Sequence, residues 1–308
     1  MQLTDRWSLL MRDRNKQIKK KRRIRQIKAR LTLLLILVLL ILVLLGVVVW
    51  KGMVKKSRSD GKKQTTSTSE LSISTGDADS DSNKEEKTET AEERLARVKK
   101  EATESQYPAD IIELLDKNPE TVDFVEDYPK KKDDPVATTI GDDYKEGQVP
   151  KLYQWDERWG YQQYGTSFIA ASGCGPTCLS MVLSSIKKDP SITPAAVASL
   201  SEQLGEVDSD NNTMWLLLSD AASTWGVYSE EGLLGEEQVR DTLNSGKLII
   251  CSVGPGDFTK IGHFIVLVSY NDGQVEVRDP FNTEHTEKTW TYANIASQIV
   301  EMWTFAGL

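Results

Sequence analysis

The apolar positions of the chain fall into three unlike regimes. Residues 31–50 are almost entirely Leu, Ile and Val with no charged residue. As a helix rising about 1.5 Å per residue they would span roughly 30 Å, the hydrocarbon thickness of a bilayer, which predicts a transmembrane helix. Over residues 51–105 apolar positions thin out into Ser, Thr, Asp, Lys and Glu. Such a composition offers too little burial to offset the entropy of ordering, so it predicts a low-complexity linker. Within it, Glu92–Glu104 has helix formers but only Leu95 and Val98 as large apolar residues, which predicts a solvated helix or stalk. Apolar clusters return at 106–149. Ile111, Ile112, Leu114 and Leu115 mark one short helix and Val122, Phe124 and Val125 a second, ended at Tyr128-Pro129 and followed by a long loop from Lys130 to Val149.

Residues 150–308 carry regular periodicity throughout. Helices are predicted first: Cys174–Ile186, with Gly173 before it and Pro176 in its first turn; Ala195–Leu204, opened by the cap Thr193 and by Pro194; Thr213–Trp225; and Glu236–Asn244. The pattern then changes to runs rich in Ile, Val and aromatic residues at Lys247–Val253, His263–Tyr270, Gln274–Arg278 and Glu301–Phe305, which predict strands. Asn271-Asp272-Gly273 supplies a hairpin turn between two of them. Helices followed by antiparallel strands imply an α+β domain.

Charge adds a direction to this layout. Residues 1–30 hold twelve Lys or Arg against Asp5 and Asp13, so this basic segment is net +10 while the whole chain is −8, leaving −18 for the rest. The basic flank before residue 31 outweighs Lys51, Lys55, Lys56 and Arg58 after the apolar run, which places the N-terminus in the cytoplasm and everything after Trp50 outside. The apolar run is longer than that of a cleaved signal and lacks a small-residue cleavage site. Basic clusters also occur in nucleic-acid binders, but beside a membrane span, without interleaved aromatics and with an acidic remainder, the expected contact is anionic lipid and no nucleic acid.

The stretch SGCGPTCLSMVL puts Cys174 at a predicted helix N-terminus, where backbone N–H groups and the helix dipole favour a thiolate. Cys178, a turn deeper, reads as core. The chain has only two histidines. His263 opens an apolar strand where Val or Leu would be usual, which makes it the candidate base; His285 lies in NTEHTEK, read as a polar, exposed loop. Asp279 ends the next strand, and the tight turn between the strands would bring its carboxylate beside the imidazole. Cys178 and Cys251 could pair, although Cys251 within LIICSV reads better as a buried thiol. Zinc binding through Cys174, His263 and His285 has no ligand pair at a zinc-site spacing.

LYQWDERWGYQQYG, SGCGPTCLSMVL, GHFIVLVSY and VRDPF, in this order, resemble the papain-like cysteine peptidases of the bacteriocin-leader-processing type, and more closely their broad peptidase-like relatives in bacterial surface proteins. YPADIIELLDKNPETVDFVEDYP resembles the N-terminal extension found in many of these relatives, so the likeness covers about 200 residues. The resemblance implies a papain-like fold, a nucleophile at Cys174, a general base at His263, an orienting acid at Asp279 and a glutamine in the oxyanion hole. Gln154 is the family-like glutamine, with Gln162 and Gln163 as alternatives. No cofactor is implied. The expected activity is amide hydrolysis through a thioester acyl-enzyme on a peptide or cell-wall-linked peptide, at the membrane surface. The alternative from another class is an inactive papain-like binding or scaffolding module.

Overall fold

The computed structural model describes residues 89–308. The basic segment, the predicted span 31–50 and the linker up to residue 88 lie outside the described residues. Among the described residues, no helix is long and apolar enough to cross a membrane.

An antiparallel six-stranded sheet is built from β3 (Val227–Glu231), β4 (Leu248–Val253), β5 (His263–Asn271), β6 (Gln274–Arg278), β7 (Thr289–Thr291) and β8 (Ile299–Gly307), in the order β3-β8-β4-β5-β6-β7. A small hairpin, β1 (Gln163–Tyr164) with β2 (Ser167–Phe168), precedes it. β4 is buried along its whole length, and alternation sends its side chains to two cores. Leu248 and Ile250 join the core built with α6 (Cys174–Lys187), α7 (Pro194–Leu204) and α8 (Leu216–Thr224). Ile249, Cys251 and Val253 join Val239 and Leu243 of α9 (Glu236–Asn244) on the other side. The sheet is therefore covered on both faces, and Ile250→Ala should cost about 2–5 kcal/mol.

The local signals act where they stand in the sequence. The Thr193 hydroxyl accepts the Ala196 N–H, Pro194 occupies the first turn, and Gly205 ends α7 in the left-handed conformation at φ 67°. Asp272 and Gly273, at φ 48° and 77°, form the tight turn that pairs Asn271 with Gln274. α8 begins at Leu216 rather than Thr213, because Thr213 is engaged in a bridge with Val207.

The N-terminal helices differ from the sequence expectation. α1 (Ala91–Glu104) is not a solvated stalk: it buries Val98 and Ala102 against a core shared with Ile111, Leu114, Leu115, Phe124 and Val125. Its small apolar stripe suffices because a neighbouring helix covers it. Arg94 pairs with Glu126 and Asp123, and Arg97 with Glu126 and Glu89. The short helices α2 (Ala109–Ile112) and α3 (Leu114–Lys117) follow, then α4 (Val122–Lys131). α4 contains Pro129 instead of ending before it, since a proline this close to the C-terminus removes one hydrogen bond and Lys131 in the following turn is tied to Asp127 and Glu157. Tyr161, whose hydroxyl donates to the Phe124 carbonyl at 2.7 Å, stacks on Phe124 and attaches this extension to the sheet-bearing core.

Candidate active site

Cys174 is the first residue of α6, which follows the short turn α5 (Ile169–Ser172). The glycines on either side of Cys174 are set by close approach. A Cβ on Gly173 would sit 2.6 Å from the Ile169 carbonyl oxygen and Cγ2, and one on Gly175 2.6 Å from Thr213 Cγ2. Gly173 supplies no capping side chain, so the first N–H groups of α6 are not taken up by a cap and the positive end of the helix dipole faces the half-buried thiol.

His263 opens β5, opposite Val253 of β4. The hairpin register sets Arg278 against Val266, which returns the following residue, Asp279, toward the start of β5. Asp279 Oδ1 lies 2.8 Å from His263 Nε2. The Cys174 side chain interacts with the same ring. Cys174, His263 and Asp279, far apart in sequence, are thus in one line of contact.

Asp279 is 1% exposed. Burial by itself would raise its pKa, but the charge of His263 and hydrogen bonds from His263, His285 and the Phe281 N–H hold it at about 2. For His263, burial works against the charged ring; the Asp279 charge and hydrogen bond, with a contribution from Cys174, outweigh it and raise the pKa to about 10. The imidazole is therefore held charged and oriented by a carboxylate that itself stays ionised.

The structure corrects one reading. His285 is not in an exposed loop: its side chain is 22% exposed, and Nδ1 meets Asp279 Oδ2 at 2.7 Å. It rides on α10 (Thr283–Glu287), capped by Asn282, whose side chain accepts the His285 N–H. A capping Asn three residues ahead of the histidine was the signal in the sequence. Polar composition hid it, because Asn282, Thr283, His285 and Thr286 turn to partners while Glu284, Glu287 and Lys288 of the same segment stay exposed.

Gln154 is 3% exposed. Its backbone N–H donates to the Pro280 carbonyl at 2.7 Å, next to Asp279, and Nε2 donates to the Ala170 carbonyl at 2.8 Å, four residues before Cys174. Turning the amide over would oppose two oxygens, so Nε2 faces Ala170 and its second proton remains available, while Oε1 has no hydrogen-bond partner. Gln162 is engaged with Ser199, and the exposed Gln163 with Gly165.

All three cysteines are free thiols. Cys178 and Cys251 are fully buried, and burial raises both pKa values, that of Cys178 far above 9. Among the described residues, no group of three or more His, Cys, Asp or Glu is arranged to hold a metal ion. Two surface cavities, of about 510 and 480 Å³, lie elsewhere: neither is lined by Cys174 or His263. A thiol at a helix N-terminus against an imidazole braced by a carboxylate can exchange its proton and attack a carbonyl carbon.

Comparison with known proteins shows the family. The Peptidase C39-like family model matches residues 146–307, more than half of the chain. The chain belongs to the Peptidase C39-like family. That membership makes it a cysteine peptidase by family, with the α+β fold of helices and antiparallel sheet described above. Among solved structures, the peptidase domain of Streptococcus ComA, a bifunctional ABC transporter involved in a quorum-sensing pathway, is 18% identical, with a TM-score of 0.34 over 43% of this chain and 93% of that one. A C39-like peptidase from Bacillus anthracis is 13% identical, with a TM-score of 0.34 over 56% of this chain and 98% of that one. No curated protein gives a match.

Proposed function

We propose that this Peptidase C39-like chain is a membrane-anchored extracellular peptidase that cleaves an amide bond through a Cys174–His263–Asp279 mechanism. The observation that carries the proposal is the line of contact from the Cys174 thiol at the start of α6, through the His263 ring, to the buried Asp279 carboxylate at 2.8 Å. Cys174 attacks the substrate carbonyl carbon as a thiolate. The tetrahedral oxyanion is met by the Cys174 N–H and the free amide proton of Gln154. The His263 imidazolium gives its proton to the leaving amine, and a thioester remains on Cys174. Water, deprotonated by the now neutral His263, hydrolyses the thioester and restores the pair. Asp279 keeps the ring turned toward sulfur throughout and stays ionised.

The basic segment 1–30 followed by the apolar run 31–50 supports anchoring with the N-terminus inside and the peptidase domain outside. The acidic exterior supports a peptide or a cell-wall-linked peptide as substrate rather than nucleic acid. The test is hydrolysis of surface-peptide and cross-linked cell-wall peptide substrates by the wild type, Cys174→Ala and His263→Ala. Loss of turnover in both variants, with near-ultraviolet circular dichroism unchanged, is the expected result. Full turnover by Cys174→Ala would remove the nucleophile from the scheme.

A further inference from the structure

Both oxygens of Asp279 lead, by separate paths, to one tripeptide of the N-terminal extension. On the first path, Oδ1 accepts the Phe281 N–H at 2.8 Å, and the Phe281 carbonyl accepts Asn118 Nδ2 at 2.6 Å and Trp155 Nε1 at 2.8 Å. On the second, Oδ2 meets His285 Nδ1, and the helix carrying His285 begins at Thr283. The Thr283 N–H donates to one Glu120 carboxylate oxygen at 3.0 Å, and its hydroxyl to the other. Asn118 and Glu120 are locked together across Pro119, since Asn118 Oδ1 accepts the Glu120 N–H at 3.0 Å. Asn118 is 2% exposed, and its Nδ2 also donates to Glu120 Oε2 at 3.2 Å, which ties the two grips together. The His285 ring is held edge-on by Phe258 and Trp290, at centroid distances of 5.3 and 5.6 Å, and Trp290 Nε1 donates to the His285 carbonyl at 2.9 Å.

Other bonds join the extension to the core without approaching Asp279, such as Tyr161 to the Phe124 carbonyl and Ser167 to Asp110. Attachment alone therefore does not account for the choice of Phe281 and Thr283 as the groups gripped by Asn118 and Glu120. A carboxylate aimed by only one of its oxygens can swing about its Cα–Cβ and Cβ–Cγ bonds, and small misplacement at a reacting centre is costly in rate.

We propose that the Asn118-Pro119-Glu120 turn, acting through Phe281 and His285, fixes the Asp279 carboxylate against His263, which makes Asn118, Glu120 and His285 positioning residues of the Cys174 site. The proposal rests on the reading of Cys174 as nucleophile. Asn118 and Glu120 lie outside the span matched by the family model, so this brace is supplied by the extension and not by the shared domain.

The experiment uses the full-length protein and two readouts that need no substrate. One is the rate of Cys174 alkylation by iodoacetamide at pH 7, with the site assigned by mass spectrometry. The other is the low-field imidazole N–H resonance of His263, which is unambiguous in His285→Phe because the chain has only two histidines. Glu120→Ala and His285→Phe, the latter keeping a ring between Phe258 and Trp290, should each slow alkylation by about tenfold or more and broaden or shift the His263 signal while the fold is retained. His285→Asn, whose amide nitrogen can replace Nδ1, should restore most of the rate, and Tyr161→Phe should leave it unchanged. If Glu120→Ala does not fold, His285→Phe and His285→Asn decide. Wild-type rates and an unmoved His263 signal in Glu120→Ala and His285→Phe overturn the brace alone. A wild type whose Cys174 reacts no faster than an ordinary thiol overturns the nucleophile, and the positioning role with it.

Discussion

Cys174 and Cys178 sit one turn apart on the same helix and differ in everything that governs a thiol. Cys174 is at the helix terminus, half-buried, flanked by two glycines and interacting with a charged imidazole. Cys178 is fully buried, with Sγ 3.3 Å from the Phe264 carbonyl oxygen, and burial holds its thiol protonated. One turn of helix, about 5.4 Å, separates a group placed for chemistry from one that fills space. The lesson is that residue type proposes a function, while the helix position and the neighbours on the sheet decide it.

The sharpest way to break this comparison is to exchange the two losses. Cys174→Ala should reduce turnover to background with little change in stability. Cys178→Ala should leave turnover nearly intact and cost about 0.5–1.5 kcal/mol in urea unfolding, the scale of removing one buried heavy atom. If Cys178→Ala also silenced the enzyme, the division between the two thiols would fail. Next in size is the acid that orients the pair. Asp279→Ala leaves the His263 ring without its buried partner and should cost about 3–5 kcal/mol. The gain from Asp279, lowered from its usual 3.8 to about 2, is complete above pH 4 and lost as pH falls toward 2. The gain from His263, raised from 6.5 to about 10, is complete below about pH 6.5 and lost as pH rises through 10. The difference in melting temperature between wild type and Asp279→Ala should therefore be widest between about pH 4 and 6.5. A difference that does not change between pH 5 and 10 would contradict the pairing. Below Asp279 in size comes the glycine behind the nucleophile: Gly175→Ala meets Thr213 at 2.6 Å and should destabilise by about 1–3 kcal/mol, whereas Gly175→Ala with Thr213→Ser should recover part of that loss.

Much of this arrangement is legible in the sequence, for identifiable reasons. Signals carried by a few adjacent residues survive folding unchanged: Thr193-Pro194 begins a helix and Asp272-Gly273 turns a hairpin whatever surrounds them. The order Cys174, His263, Asp279 was readable because His263 opens an apolar strand and Asp279 directly follows the next one. Features set by distant partners were not. α1 has a weak apolar stripe that reads as solvated until α4 covers it, and β3 (VYSEE) alternates too poorly to stand out, being a strand because β8 pairs with it along five residues. His285 was missed because a polar segment looks alike whether its groups face water or one another. The clamp from Asn118 and Glu120 crosses 163 residues of sequence, a relation that no local pattern encodes.

The most direct measurement is the pH dependence of alkylation at each of the three cysteines, resolved by site, in wild type and His263→Ala. The account predicts that Cys174 alone reacts fast well below pH 8 and that His263→Ala abolishes this rate, with Cys178 and Cys251 unreactive until the protein unfolds. Cys174 reacting no faster than Cys178 or Cys251, or keeping its rate without His263, would contradict it.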